Sequence, residues 1–290
     1  IAGVESLHSE ALGLMNKGIS AWQNVQALKW LRQYGIVAGW NFLFGFPGEQ
    51  DRWYLETASW LPMLFHLSPC RFVFVKYCRY SSYFHNASEH GLKLVPQALQ
   101  RFVYPLSPQG QKDMAFHFEE ETTPDYYACL GEMRFPGRPG LEAVHRETLK
   151  WRMASSVPEG PTLVMRPLDV GLEVKDSRPC AVAPVHLIQG PRRAVLERCD
   201  DAPPLPQLMA VLERENGLAE AEARRALSDL VDRKLVLLLD GRAISLVLKY
   251  PLPALLKTSG NPCGLFLPEE FQKDDLSVKS AEVLQSSPPA

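Results

Sequence analysis

The sequence predicts an α/β fold: parallel strands covered by helices, followed by a small α+β unit. Three observations carry this. Ile36 to Phe44 is an almost unbroken apolar run without helical spacing, as in a strand buried on both faces of a parallel sheet. Helical patterns and strand-like runs alternate over residues 1–77 with short connections. That is the order of consecutive βαβ crossovers in a barrel or a doubly wound sheet. Near the other end, two short amphipathic helices precede a hairpin with an Asp240-Gly241 turn, the outline of a winged helix.

Taken in order, Ile1 to Glu5 reads as the end of a buried strand. Leu7, Ala11, Leu14 and Met15 then fall on one helical face, closed by Lys17 and Gly18. Ser20 and Gln23 form a capping box for a helix whose apolar stripe is Trp22, Val25, Leu28 and Leu31 and which ends at Gly35. After the central strand, Gly45 to Glu49 makes a Gly/Pro loop at the strand's C-terminal end, where α/β proteins bind ligands. Asp51 to about His66 is a further helix with Pro62 as a kink or early stop. Arg71 to Tyr77 is the next strand, and together these elements fill residues 1–153 with an aromatic-rich extension from Cys78 to about Asp125. Tyr126–Arg134 and Leu141–Met153 look helical, with a Phe-Pro-Gly-Arg-Pro-Gly breaker between them. Residues 154–202 hold short β-type runs (Leu172–Val174, Val185–Leu187, Ala194–Leu196), residues 203–250 the winged-helix-like unit, and residues 251–290 a weakly ordered tail.

Composition narrows the function. Of 290 residues, 46% are hydrophobic and 22% charged, ordinary for a soluble globular protein. A formal net charge of −2 gives no basic footprint, so nucleic acid is not the expected partner. No apolar run is long enough for a membrane span and no secretory signal opens the chain. The six scattered cysteines, with no CxxC pair, read as free thiols in a reducing cytoplasm. The opening at Ile1, inside a strand-like run, suggests a fragment. Cys70, Cys78, His85 and His90 match no known zinc spacing.

Several segments, in order, resemble one family. They are Gly3-Val4-Glu5-Ser6-Leu7, Met15-Asn16-Lys17-Gly18, the Gln23-Asn24 helix, and Trp40-Asn41 followed by Gly45-Phe46-Pro47-Gly48-Glu49. Together they look like the second half of a radical S-adenosylmethionine core. The subfamily resembled is that of cobalamin-dependent enzymes that mature ribosomally made peptides, several of them C-methyltransferases. The likeness continues through Arg79-Tyr80-Ser81-Ser82-Tyr83-Phe84 and Lys175-Asp176-Ser177-Arg178-Pro179, and covers roughly residues 1–250.

The resemblance implies a partial open parallel (β/α) barrel, with methyl transfer to an unactivated carbon of a precursor peptide. It implies S-adenosylmethionine, a 4Fe–4S cluster and cobalamin for the whole enzyme. Glu5 and Ser6 would face the ribose and methionine of the cofactor. Asn41, Leu43, Gly45 and Glu49 would form the adenine side, with Leu43 against the ring. For Glu5 the alternative is a carboxylate stabilising a helix N-terminus, and for Glu49 a structural loop carboxylate. Arg79 could meet a carboxylate or phosphate of the substrate, and Tyr83 could place a phenol near a substrate hydrogen; the alternative for both is aromatic loop packing.

The departure is an absence: no CxxxCxxC loop occurs, and no cysteine pair has the spacing for one. The expectation is therefore a non-catalytic piece of an enzyme, its N-terminal half missing, that holds no cofactor stably alone. Alternatives are a naturally truncated peptide-binding partner or a radical enzyme of another reaction type. The balanced charge of residues 203–249 favours a peptide over DNA on the terminal unit. The strand phenylalanines Phe42, Phe44, Phe72 and Phe74, with Val4, are expected on an exposed inner face that drives association.

Overall fold

The computed structural model describes residues 3–98, 100–121, 133–157 and 160–253. The fold is mixed α/β, built from several small sheets, and no closed barrel forms among the described residues.

Helix α1 (Ser9–Leu14) and helix α2 (Ala21–Gln33) lead into β1 (Asn41–Phe44). Helix α3 (Asp51–Trp60) then tightens into a 3-10 turn, Leu61–Leu64, with Pro62 in its first turn. Strand β2 (Arg71–Phe74) pairs with β1 in parallel, Asn41 opposite Arg71 through Phe44 opposite Phe74. The capping box forms: the Ser20 amide donates to the Gln23 side chain at 2.9 Å. Residues 4–6 run beside β1, the Leu43 N–H donating to the Glu5 carbonyl at 2.9 Å.

Two expectations are corrected here. The strand is four residues long, and Ile36 and Val37 before it are exposed, because apolar character alone does not say what will cover it. The phenylalanines are not on an open inner face either. Phe42, Phe44 and Phe72 are buried, with Phe42 against Tyr54 of α3 and Phe72 against His145 of α7 (Pro139–Ser156). The opposite face of the pair carries Asn41, Leu43, Arg71 and Val73, all half-buried. Strand alternation puts these sets on opposite faces, and α7 covers the phenylalanine side.

The aromatic-rich stretch folds as β3 (Tyr77–Cys78), α4 (Ser82–His85), β4 (Leu94–Pro96), α5 (Gln100–Val103), α6 (Pro108–Met114) and β5 (His117–Glu120). Its three strands form an antiparallel sheet in the order β3-β5-β4. Most of the expected helix Tyr126–Arg134 lies outside the described residues.

Strands β6 (Leu163–Leu168), β7 (Gly171–Asp176) and β8 (Val185–Ile188) form an antiparallel meander. Strand β11 (Leu248–Lys249) joins it in parallel beside β6. Residues 194–196, expected as β-type, lie instead in α8 (Gly190–Arg198). A Pro in the first turn and an Arg193–Glu197 pair one turn apart favour a helix over a three-residue apolar strand. Helices α9 (Leu205–Asn216) and α10 (Glu220–Asp232) precede the hairpin β9 (Val236–Leu239) and β10 (Arg242–Ser245). Asp240 and Gly241 both have positive φ, 51° and 72°, as a tight two-residue hairpin turn requires. One apolar core runs from Val4 and Trp40 through Trp151 to Leu248. The expected tail lies almost wholly outside the described residues.

Candidate functional site

The site predicted from sequence lies at the C-terminal end of the β1–β2 pair. Three segments converge there: residues 4–6, the Gly45–Glu49 loop, and the chain leaving β2.

The loop is held from within. One Glu49 oxygen, Oε2, accepts from the Gly45 and Phe46 amides at 2.7 and 2.9 Å and from the Tyr54 hydroxyl at 2.6 Å. The other, Oε1, accepts from Arg138 at 2.9 Å, and the side chain is only 5% exposed. Asp51 extends this arrangement: its carboxylate receives Arg138 and the first amides of α7, at Gly140 and Leu141. The N-termini of α3 and α7 are therefore tied by one carboxylate, an anion where two helix dipoles favour it. Gly45 has φ of +95°, and a Cβ there would stand 2.1 Å from the Phe74 ring, so only glycine fits. Burial first, and then the Glu49 charge, push the Tyr54 phenol well above its ordinary range. Glu49 and the Gly45 amide thus organise the loop, with Oε2 fully taken up and Oε1 buried against Arg138.

Glu5 is different. Its carboxylate is about a quarter exposed and pairs with the Lys17 ammonium, which stands where a ligand's ammonium could. Ser6 is buried; its hydroxyl accepts from the His8 amide at 3.2 Å and its carbonyl from Asn24 at 2.8 Å. Asn41 and Leu43 share the half-buried face of β1, and Leu43 packs toward Phe46, Val75, Tyr77 and Phe118.

The Tyr83 hydroxyl donates to the Leu14 carbonyl at 2.7 Å, and its ring meets Phe46, Tyr77 and His90. Burial, then Glu49, raise its phenol above the usual value. Tyr77 donates to the Gly45 carbonyl at 3.2 Å. Arg79 points the other way. Its guanidinium donates to the Ala115 carbonyl at 2.6 Å and to that of Lys112, holding the end of α6, and lies over the Phe84 and Phe118 rings. Glu5, Leu43 and the loop are therefore brought together at the C-terminal end of the sheet, whereas Asn41, the first residue of β1, lies on the same face as Leu43 but at the other end. Tyr83 joins them through the aromatic floor, and Arg79 does not.

The residues missed by sequence reading are Tyr54, Asp51 and Arg138, which fix the loop. Arg138 stands inside the Phe-Pro-Gly-Arg-Pro-Gly breaker, and a lone cation in such a segment is the signal that was there to find. Among the described residues no group of His, Cys, Asp and Glu is arranged to hold a metal ion, and no helix is long and apolar enough to cross a membrane. A scan of the chain against protein-family models finds no match, and a search of curated proteins likewise finds none.

Proposed function

We propose that the chain is part of a cobalamin-dependent radical S-adenosylmethionine enzyme that modifies a ribosomally made peptide by C-methylation. The order of the sequence motifs supports this reading. The observation that carries it is the bond from the Leu43 amide to the Glu5 carbonyl, which sets two segments remote in sequence side by side near the C-terminal end of a parallel pair, the end at which α/β proteins generally bind ligands.

S-adenosylmethionine supplies a transferable methyl group and the precursor of a reactive radical. The residues present fit its recognition in part. Glu5 would take the ligand's ammonium or hydroxyl donors in exchange for Lys17, and Asn41 and Leu43 offer a half-buried ledge for a flat base. Glu49 shapes the loop beneath, and Tyr83, bound to Leu14, walls it. The residues present do not fit a 4Fe–4S cluster, since the six cysteines contain no CxxxCxxC arrangement. The reading assigns the cluster and the cobalamin to chain outside these 290 residues.

The test is Glu5→Gln in the complete reconstituted enzyme. Folding should be kept and S-adenosylmethionine affinity lowered by about 1–3 kcal/mol, the worth of a charge-assisted bond. Unchanged affinity by calorimetry removes the assignment. The cysteine spacing favours a second reading, a non-catalytic peptide-binding partner. Iron counting after anaerobic reconstitution of the complete gene product separates the two.

A further inference from the structure

The β3-β5-β4 sheet holds a thiol and an imidazole side by side, on the face turned away from its aromatic core. Tyr77 lies opposite Phe118 and Cys78 opposite His117 in the β3–β5 register. Tyr77 and Phe118 are buried with Phe46, Val75 and Ala115, so strand alternation places Cys78 and His117 together on the other face. The Arg79 N–H donates to the Phe116 carbonyl at 2.7 Å, which makes that pair a hydrogen-bonded one. Its neighbour Cys78–His117 is then a non-bonded pair, the kind in which facing side chains come closest. The Cys78 Sγ stands 3.5 Å from His117 Nδ1. With the ring proton on Nε2, Nδ1 accepts from the thiol, and the Lys76 carbonyl at 3.8 Å is the more distant alternative. Both side chains belong to half-buried residues, so the sulfur is open to a small solute while the strands hold the ring against it.

The other described cysteines differ. Cys70 and Cys199 are buried, and burial pushes the Cys199 thiol up to about 12. Cys180 is half-buried and donates to the Pro62 carbonyl at 3.3 Å, and burial holds its thiol above the ordinary value. A thiol becomes a nucleophile by losing its proton, and a neighbouring cation that faces the charged sulfur favours that loss. His117, once protonated, is such a cation, and the exposed Lys76 lies two residues before Cys78. Arg79 is turned away, its guanidinium taken by the Ala115 and Lys112 carbonyls. Glu119, two residues beyond His117, accepts from the Ala98 amide at 3.1 Å.

We propose that Cys78 and His117 form a reactive thiol site that takes up small disulfides by exchange. His117 Nδ1 takes the Sγ proton, and the electron pair left on the sulfur attacks one sulfur of the disulfide. That S–S bond breaks as the bond to Cys78 forms. The leaving thiolate carries off the electron pair and is protonated by the imidazolium. One disulfide replaces another, so the incoming disulfide is the oxidant and no further one is needed. The site lies apart from the Gly45–Glu49 loop and does not depend on the S-adenosylmethionine reading.

The experiment uses the 290-residue chain, reduced and freed of reductant, with dithiodipyridine as the probe and oxidised glutathione as a second disulfide. Samples are quenched in acid, and peptide mapping by mass spectrometry reads the adduct at each cysteine, Cys129 and Cys263 included. The reference is a blocked peptide of residues 76–80, which keeps the sequence neighbours of Cys78 and lacks His117. Cys78 in the folded chain should react about fivefold faster than the peptide or more, and dithiothreitol should remove the adduct. His117→Gln should slow Cys78 about tenfold and leave Cys180 unchanged. His117→Lys keeps a cation beside the sulfur and should stay within about threefold of wild type.

A urea midpoint equal to wild type shows that each variant is folded, and the comparison with the peptide needs no variant. Two results would overturn the proposal. A peptide that reacts as fast as the folded chain would make Cys78 an ordinary thiol. Equal rates in the Gln and Lys variants would mean that the ring only packs against the sulfur.

Discussion

The two larger antiparallel assemblies attach to the β1–β2 body in opposite ways. The β11-β6-β7-β8 sheet and its helices are joined by desolvated charge. The Asp176–Arg178 pair is 0% exposed on both sides, and Arg178 also donates to the carbonyls of Met63 and Lys234. Lys29, buried on α2, meets Asp200 at 2.5 Å, and Asp200 receives Lys249 at 2.6 Å. Burial lowers the Lys29 ammonium against the pull of Asp200. The β3-β5-β4 sheet instead rests on rings, with Phe46, Tyr77 and Phe118 at its contact and Tyr80, Phe102, Met114 and Phe116 left exposed. Directional bonds in a dry interior fix a single placement, whereas ring contacts tolerate small shifts. The candidate site lies on the ring side, where a ligand can be accommodated at lower cost.

Arg178→Met should have the largest effect on this joint. It leaves Asp176 buried without its cation and frees two carbonyls, so unfolding free energy should fall by about 3–5 kcal/mol in urea titrations. Asp176→Leu added to it should restore much of the loss, since an apolar pair carries no stranded charge. A loss below about 1 kcal/mol in the single variant would mean that charge does not hold this joint.

Acid should act next. His66 is fully buried, its Nε2–H donating to the Leu246 carbonyl while Nδ1 has no partner among the described residues. Burial, then the Arg178 charge, hold its imidazole well below the ordinary value. Burial and Arg152 hold His145 down to about 4. Both groups take protons more readily in the unfolded chain. Their contribution is therefore complete above the unfolded value of about 6.5 and is lost as pH falls from there. For His145 the loss levels off below about 4 and amounts to at most about 3.5 kcal/mol, at 1.4 kcal/mol per unit. Urea titrations between pH 7.5 and 4 should show the decline, and His145→Asn should make it shallower, leaving the part due to His66.

What could be read from sequence was short-ranged. Ser20 with Gln23, the Asp240-Gly241 turn and the Pro62 stop each depend on neighbours within a few residues, and each forms. Long-range partnership was not legible. Lys29 sits on a helix face that looks solvated, yet it is buried and paired with Asp200, 171 residues further along the chain. Ile36 and Val37 have the character of a buried strand, yet among the described residues no element covers them. At the candidate site, Glu49 could be picked out as a carboxylate with a task, but its cation lies 89 residues away, so its task as loop organiser could not be assigned.

Glu49→Gln tests that task on the ring side. Keeping shape and removing charge weakens the bonds from two amides, Tyr54 and Arg138, and should cost about 1–3 kcal/mol. The loss should appear as faster exchange of the Gly45 and Phe46 amides, leaving protection of the β6–β7 ladder unchanged. Equal loosening of both regions would show that the two attachments are not independent.

The smallest effect belongs to Asp240, an exposed link on the charged side. Its carboxylate accepts from the Ser9 hydroxyl at 2.7 Å and from the Trp22 amide at 3.1 Å, while the Ser9 oxygen accepts from the Ala21 amide at 2.8 Å. Two free N–H groups at the start of α2 are thus met by side chains from outside the helix, one of them from the distant hairpin. Because Asp240 sits at φ of +51°, alanine would add backbone strain, and Asp240→Asn keeps the turn while removing the charge. Asn should cost about 0.5 kcal/mol and Ala about 1 kcal/mol, the range of a lost helix cap. Salt should shrink the Asn effect, since this link is open to water, and should leave the Arg178→Met effect unmoved. If salt reduced both alike, Asp176–Arg178 would be no better shielded than Asp240, and the contrast between a buried joint and an exposed one would be lost.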